Sequence, residues 1–187
     1  MEISIHSLLE GTARATGTVA LIDVFRAFTS TAVALANGAT GIVMVGTVKK
    51  AVALREASIG EICMGEVRGR ALDGFDFGNS PFEISGVDFS GKTIIQRTSA
   101  GTQGIVAAGN RATRLYAASL VTAEATVRAL LSGALVQTAR CDRLRWDAER
   151  AEVGNGQTED CRRAVQGSPL RPRRRHPVRA LVSSLLS

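Results

Sequence analysis

Residues 17–38 read GTVALIDVFRAFTSTAVALANG, and this stretch decides the fold class. Its first part is an apolar run that ends at Asp23 and predicts a strand over 18–23. The next part predicts a helix that begins near Thr29 or Ser30, either of which can cap it, and ends at Asn37 and Gly38. A strand followed directly by a helix is typical of a βαβ unit, in which crossover helices join parallel strands.

The rest of the chain repeats this alternation of short apolar runs and segments of helical period. Further strands are predicted at 3–6, 41–45, 61–64, 92–96, 114–118 and 135–138. Helices are predicted at 47–57, 101–108 and 122–131, and another is predicted to start at Ser80 and Pro81. The pattern indicates an α/β protein, with three α/β/α layers around a largely parallel or mixed sheet.

The composition favours one globular domain over a membrane or disulfide-rich protein. The chain has 187 residues, of which 45% are hydrophobic. No apolar run approaches the roughly 18 residues of a membrane span, and the first residues lack the features of a signal peptide. Cys63, Cys141 and Cys161 form no CxxC pair, which disfavours a zinc site or a disulfide framework. We therefore expect a soluble, cytoplasmic protein with no membrane partner.

The net charge of +6 is concentrated in the C-terminal part of the chain. Residues 1–136 hold 12 Lys and Arg against 11 Asp and Glu, whereas residues 137–187 hold 11 against 6. All eleven basic residues of the second segment are arginines. With aromatic residues at 4% of the chain, base-stacking surfaces are scarce, so the pattern disfavours nucleic-acid binding by the body of the protein.

The arginine-rich segment also lacks a clear apolar period. Its composition has two interpretations, namely out-of-frame reading of a GC-rich gene or a disordered basic extension. We predict an incomplete α/β domain over 1–138 and a largely disordered tail over 139–187. A core without its covering layer would expose apolar surface near 115–135, which predicts a homodimer or poor solubility.

The first motif with chemical meaning is the end of the strand in the opening stretch. Asp23 is followed by Arg26 and by the hydroxyl residues of the helix start. Carboxylate oxygens bind Mg²⁺, and an arginine with the free amides of a helix N-terminus binds phosphate. An ordinary Asp–Arg surface pair beside a helix cap is an equally valid interpretation of this motif alone.

The second motif is a long glycine-rich loop. It runs from Gly65-Glu66 to GFDFGNSP at 74–81, which is longer than most structural connections. Asp76 lies between two phenylalanines, so its carboxylate needs a cation or hydrogen bonds to offset desolvation. The alternative is an Asx turn in which Asp76 and Asn79 bind their own backbone.

The third motif is RTSAGT at 97–102, between an apolar strand and a helix. Its amides and side chains indicate an anion-binding turn. It has neither the GxxxxGK[ST] spacing of a Walker loop nor the GxGxxG spacing of a dinucleotide fingerprint.

Together and in this order, the segments resemble the 2-phosphosulfolactate phosphatase family, the magnesium-dependent enzymes of coenzyme M biosynthesis. The matching stretches are VALIDVFRAFTSTAVALANGA, Gly65-Glu66 with GFDFGNSP, and GKTIIQRTSAGTQGI, and the resemblance runs from about residue 3 to about residue 138. It implies hydrolysis of a small anionic phosphate monoester with Mg²⁺ as cofactor. It implies catalytic roles for Asp23, Glu66 and Asp76, and magnesium ligation by Asp23 and Asp76. The implied substrate-binding residues are Arg26, Asn79, Ser80, Arg97, Thr98, Ser99, Gly101 and Thr102.

Two other functions remain open at this point. One is a non-catalytic anion-binding domain that keeps the pocket without turnover. The other is a domain whose arginine-rich tail attaches it to RNA or DNA.

Overall fold

The computed structural model describes residues 3–109, 111–133, 151–153 and 180–182. The helices are α1 Leu8–Thr12, α2 Ala27–Ala36, α3 Val48–Glu56, α4 Gly101–Gly109 and α5 Ala123–Gly133, with a 3₁₀ turn at Leu120–Thr122. The strands are β1 Gly17–Ile22, β2 Gly41–Met44, β3 Ile62–Val67, β4 Arg70–Ala71, β5 Thr93–Arg97, β6 Ala112–Ala118, β7 Ala151–Val153 and β8 Ala180–Val182.

The strands that the structure describes form two sheets. The larger has the order β4-β3-β5-β2-β8-β7, and the smaller pairs β1 with β6 in parallel. In the larger sheet β3, β5 and β2 are parallel, whereas β4 runs antiparallel to β3 and β7 antiparallel to β8. The predicted α/β class and mixed sheet are confirmed, but the described strands are divided between two sheets where a single sheet was predicted.

Alternate residues of the larger sheet face two different apolar clusters, as the period of two in a strand requires. Ile42 and Met44 belong to the cluster that contains residues of α2 and α4. Val43 belongs to the cluster on the other face, where Ala51 of α3 is fully buried. A strand covered on both faces reads as a continuous apolar run, which explains the sequence of β2.

Helix α4 contacts both sheets. On one side, a Cβ added at Gly104 would lie 2.6 Å from Cδ1 of Leu21 in β1. On the other side, a Cβ added at Gly46, just after β2, would lie 3.9 Å from the methyl groups of Val106. The neighbouring helix α2 has eight of its ten residues buried. Both helices are therefore interior elements, and their N-termini lie at the carboxyl ends of the strands.

Three sequence predictions of local structure are wrong. Residues 3–6 are irregular, since Ile3 and Ile5 are 73% and 92% exposed and find no strand partner among the described residues. Residues 81–86 form turns rather than a helix starting at Ser80 and Pro81. The side chain of Asn37 donates to the carbonyls of Ile84 and Ser85, so these groups are directed towards α2.

The third wrong prediction concerns the start of α2, which begins at Ala27 instead of near Thr29 or Ser30. The N-cap residue is Arg26, which makes no side-chain cap hydrogen bond, and the Ala27 amide donates to the carboxylate of Asp23 instead. The helix at 47–57 was predicted well, and Thr47 caps α3 by accepting from the Lys50 amide at 3.1 Å.

The predicted strand at 135–138 lies outside the described residues, as does most of 139–187, where the structure describes β7 and β8. The division into a domain over 1–138 and a disordered tail therefore stays a prediction. Among the described residues, every helix is too short or too polar to cross a bilayer.

Candidate functional site

Asp23 lies where the N-termini of two helices meet. It follows β1, and the amides of Ala27 in α2 and Gly101 in α4 donate hydrogen bonds to its carboxylate. Only a glycine fits at 101, because an added Cβ would lie 2.7 Å from Cβ of Ala27 and 2.9 Å from Oδ2 of Asp23. The sequence pattern predicted that Asp23 and this turn share an edge, and the structure brings them into contact.

The environment of Asp23 shifts the pKa of its carboxyl group away from the ordinary value. Burial raises the pKa of Asp23 and the negative charge of Glu66 raises it further, while the hydrogen bonds from Ala27 and Gly101 and the charge of Arg26 act in the opposite direction. The net shift is upward. Two carboxylates that repel each other at the end of a sheet are a typical feature of sites that bind a cation or transfer a proton.

Glu66, near the end of β3, is 6% exposed and accepts three hydrogen bonds. The Ser99 amide donates to Oε1 at 2.6 Å, and the Ser99 hydroxyl donates to Oε2 at 3.0 Å. The Gly69 amide also donates to Oε2. Burial acts to raise the pKa of Glu66, but these hydrogen bonds and the charge of Arg97 outweigh it and lower that pKa. The ionised Glu66 thus holds the loop after β3 against the turn after β5.

Several of the predicted phosphate-binding residues are engaged in internal hydrogen bonds, including Ser99, which binds Glu66 as described above. Nη1 of Arg97 donates to the Glu66 carbonyl at 2.7 Å, so its guanidinium links the ends of β5 and β3. Thr98 and Thr102 bind each other, since each hydroxyl accepts from the amide of the other residue at 2.8 to 3.1 Å. These contacts shape the turn at the start of α4, and Ser99 is the exposed hydroxyl residue of that turn.

Arg26 has a strained backbone and an exposed side chain. Its φ of 91° lies in the region that non-glycine residues rarely adopt. Its guanidinium lies above the loop after β3, since a Cβ added at Gly69 would be 3.8 Å from Arg26 Nη2. Such an outlier next to a pair of carboxylates indicates a functional constraint.

The sequence reasoning placed the glycine-rich loop that contains Arg68 and Gly69 at the site but gave these two residues no role. Arg68 has a positive φ of 52°, and its amide donates to the Ser99 hydroxyl at 2.7 Å. Both residues belong to the segment Glu66-Val67-Arg68-Gly69. The feature of the sequence that could have identified them is an arginine and a glycine that closely follow a carboxylate.

Asp76 is placed apart from this cluster. Its Oδ2 accepts from the Cys63 amide at 2.8 Å, near the start of β3, whereas Glu66 lies near the end of that strand. The same oxygen pairs with Nη1 of Arg55 at 3.4 Å. The charge required beside Asp76 is therefore supplied by Arg55, and the structure does not bring Asp76 together with Asp23 and Glu66.

Asn79 and Ser80 differ in their surroundings. Asn79 is 6% exposed, and its Oδ1 is buried without a hydrogen-bond partner among the described residues. The Ser80 hydroxyl accepts from the Glu83 amide at 3.4 Å, which is a local turn contact. A buried oxygen without a partner carries a desolvation cost, which makes Asn79 the stronger of the two candidates for ligand binding.

The arrangement defines a class of α/β protein whose hydroxyl-rich turns and carboxylates converge at the carboxyl ends of parallel strands. Comparison with known proteins identifies the family. A family model described as 2-phosphosulpholactate phosphatase matches residues 4–138. The chain belongs to this family.

Several curated relatives carry the name "Probable 2-phosphosulfolactate phosphatase". The relative from Thermotoga petrophila is 39% identical over 115 residues, which are 62% of this chain and 49% of the relative. The relative from Carboxydothermus hydrogenoformans is 42% identical over 113 residues, or 60% and 46% of the two chains. That from Deinococcus radiodurans is 36% identical over 112 residues, or 60% and 47%. The chain thus spans about half the length of the curated relatives it matches.

The family resemblance implied a magnesium ion, and the described residues fit this ion in a limited way. They contain no group of three or more His, Cys, Asp or Glu that could hold a metal. Mg²⁺ commonly binds through one or two carboxylates together with water and substrate phosphate. Asp23, whose negative neighbour Glu66 is already occupied by hydrogen bonds, fits such a shared site. Asp76 does not fit such a site, because its carboxylate is already paired with Arg55.

Proposed function

We propose that the protein is a magnesium-dependent phosphatase that hydrolyses 2-phosphosulfolactate to sulfolactate and phosphate. The observation that carries the proposal is the meeting of Asp23, the Glu66–Ser99 pair and the N-termini of α2 and α4 at the carboxyl ends of β1, β3 and β5. The membership of residues 4–138 in the phosphatase family supports it.

In this mechanism the phosphate group lies between the Arg26 guanidinium and the turn at the start of α4. The exposed guanidinium is the direct phosphate ligand, because the amides of Ser99, Gly101 and Thr102 in this turn already have internal acceptors. Ser99 is an exposed residue of the same turn, and the hydrogen bond from its amide to Glu66 keeps that turn in place. Four residues with internal partners act by shaping the pocket rather than by direct contact, namely Arg97, Thr98, Ser99 and Thr102.

Asp23 is the carboxylate that would hold Mg²⁺ in this mechanism. The ion would neutralise phosphate charge and polarise the scissile P–O bond when bound. Its presence would also offset the repulsion between Asp23 and Glu66, which is unfavourable in the protein alone.

The test is release of inorganic phosphate from 2-phosphosulfolactate by the full chain, with Mg²⁺ and with the chelator EDTA. Asp23→Asn should reduce turnover by at least about a hundredfold, as expected when a transition-state interaction is removed. Asp88→Asn is the matched control, because Asp88 is an exposed carboxylate whose hydrogen-bond partner is the nearby Ser90. Full turnover in Asp23→Asn, or in the presence of EDTA, would contradict the proposal.

A non-catalytic anion-binding domain is the second candidate. The observation that favours it is the coverage, since the chain matches about half of each relative's length. Binding of inorganic phosphate without turnover of 2-phosphosulfolactate would support this second function over the first.

We also propose that the protein forms a homodimer. The apolar surface predicted near 115–135 is partly uncovered. Leu120 and Val121 of the 3₁₀ turn are 72% and 40% exposed, and Val127 and Leu131 of α5 are both 53% exposed. Surfaces of this kind favour association. Light scattering should show a dimer in the native protein and a monomer in Val127→Glu, and a native monomer would contradict this part of the proposal.

A further inference from the structure

A glutamine is buried in the middle of the apolar core, one residue before the predicted anion-binding turn. Gln96 in β5 is 0% exposed and lies on the face of the sheet that α2 covers. Its Nε2 donates to the Ala27 carbonyl at 3.0 Å. Its Oε1 lies 2.7 Å from the hydroxyl of Thr31 in α2, which can donate to it. Both ends of the amide are therefore satisfied by the first turn of α2, as a buried polar group requires.

The carbonyl of Ala27 is a point of convergence. It accepts from Gln96, and the Thr31 hydroxyl lies 3.0 Å away as a further donor. Because that hydroxyl has a single proton, it can donate either to Ala27 or to the closer Gln96 oxygen. In both cases the two side chains attach the first turn of α2 to β5.

This turn is the part of the backbone that carries strain. Arg26, directly before Ala27, has the φ of 91°, and its carbonyl accepts the hydrogen bond from the Ser30 amide at 2.7 Å. A strained residue keeps its conformation only where the surrounding structure imposes it. The contacts of Gln96 and Thr31 with Ala27 provide that constraint on the C-terminal side of Arg26.

We propose that Gln96 and Thr31 are positioning residues that hold the Arg26–Ala27 turn, and with it the Arg26 guanidinium, in place for an anionic phosphate. The inference rests on the phosphate site proposed above. Neither residue touches the phosphate in this arrangement. They act through the backbone of α2, which presents the Arg26 side chain above Gly69 and the Ala27 amide towards Asp23.

The experiment uses the full chain with Gln96→Leu and Thr31→Val, which keep similar volumes and remove the hydrogen bonds. Thr31→Ser, which keeps the hydroxyl, is the rescue variant. Asn37→Ala is the matched control, because Asn37 links the other end of α2 to the Ile84 carbonyl at 2.8 Å. Thermal unfolding measures the stability of every variant. Should Gln96→Leu fail to fold, Thr31→Val gives the same comparison.

Two quantities decide the result, namely the Kd for inorganic phosphate by calorimetry and the hydrogen-exchange rate of the Ser30 amide. In Gln96→Leu and Thr31→Val we expect both to rise by about tenfold, the effect of losing one or two internal hydrogen bonds. Thr31→Ser should restore both quantities. Asn37→Ala should lower the thermal stability and leave both unchanged. In a double-mutant cycle, Gln96→Leu should add little to Arg26→Ala, since both act on the same guanidinium.

An unchanged Ser30 exchange rate in Gln96→Leu and Thr31→Val would overturn the inference. So would faster exchange combined with an unchanged phosphate Kd, or full additivity with Arg26→Ala. If the native chain binds no inorganic phosphate, the proposed function fails together with the phosphate part of the inference. The exchange rate of Ser30 then still decides whether the two side chains hold the turn, so the two failures are distinguishable.

Discussion

Replacing Glu66 by Gln should lower the free energy of unfolding by about 2–4 kcal/mol at pH 7. The carboxylate accepts from the Ser99 amide on Oε1 and from the Ser99 hydroxyl and Gly69 amide on Oε2. A glutamine must place its NH₂ group on one of these sides. On either side the NH₂ faces a backbone N–H, so at least one donor of a part-buried hydrogen bond loses its acceptor, which costs up to about 1–3 kcal/mol. Loss of the charge on the remaining hydrogen bonds adds to this cost.

The effect should depend on pH with a definite sign. Because the pKa of Glu66 is lower in the folded chain than its ordinary value of 4.5, the ionised group stabilises the fold above pH 4.5. This contribution is lost as the pH falls through the folded pKa. The stability difference between the native chain and Glu66→Gln should therefore be largest near pH 7 and shrink below pH 4.5.

Urea denaturation followed by circular dichroism at pH 7 and at lower pH values measures both effects. Glu61→Gln is the matched control, because Glu61 is exposed and accepts one amide hydrogen bond, from Thr93 at 2.8 Å. A glutamine can keep that bond through its own oxygen, so the control should change stability by less than about 0.5 kcal/mol. Equal stabilities of the two variants at pH 7 would refute the reasoning. A Glu66→Gln difference that is the same at all pH values would show that shape, not charge, is responsible.

Three further outcomes follow from single contacts. Gly101→Ala should destabilise the fold by about 1–3 kcal/mol, since its Cβ would meet Ala27 and Asp23. The control Gly86→Ala should be neutral or slightly stabilising, because a Cβ added at Gly86 has nothing within 4 Å. Similar melting temperatures of the two variants would contradict this prediction. Thr47→Ala should cost about 1 kcal/mol through loss of the α3 cap, and Thr47→Ser should recover most of it; equal denaturation midpoints for Ala and Ser would argue against the cap. Asp76→Asn should lower the free energy of unfolding by less than about 1 kcal/mol, because it removes a partly exposed ion pair. It should leave the magnesium dependence of phosphate release unchanged. A raised magnesium requirement would show that Asp76 belongs to the magnesium site.

Local features of this chain were predictable because they depend on neighbours in sequence. The strand that ends at Asp23 and the α3 helix capped by Thr47 follow from apolar period and side-chain capping, which act within a few residues. The same local rules failed at Ser80 and Pro81, where long-range hydrogen bonds from Asn37 compete with the helix.

The sequence by itself determined the α/β class and the convergence of Asp23, Glu66 and Ser99, because the loops at the carboxyl ends of parallel strands can meet. It did not determine that β1, which precedes Asp23, lies in a different sheet from β3 and β5. The tertiary structure decided which partner each polar group receives. It pairs Asp76 with Arg55, and it directs Gln96 into the core against α2. The physical reason is that a buried charge or amide takes whichever complementary group packing brings within about 3 Å, and residues far apart in the chain are brought together only by the complete fold.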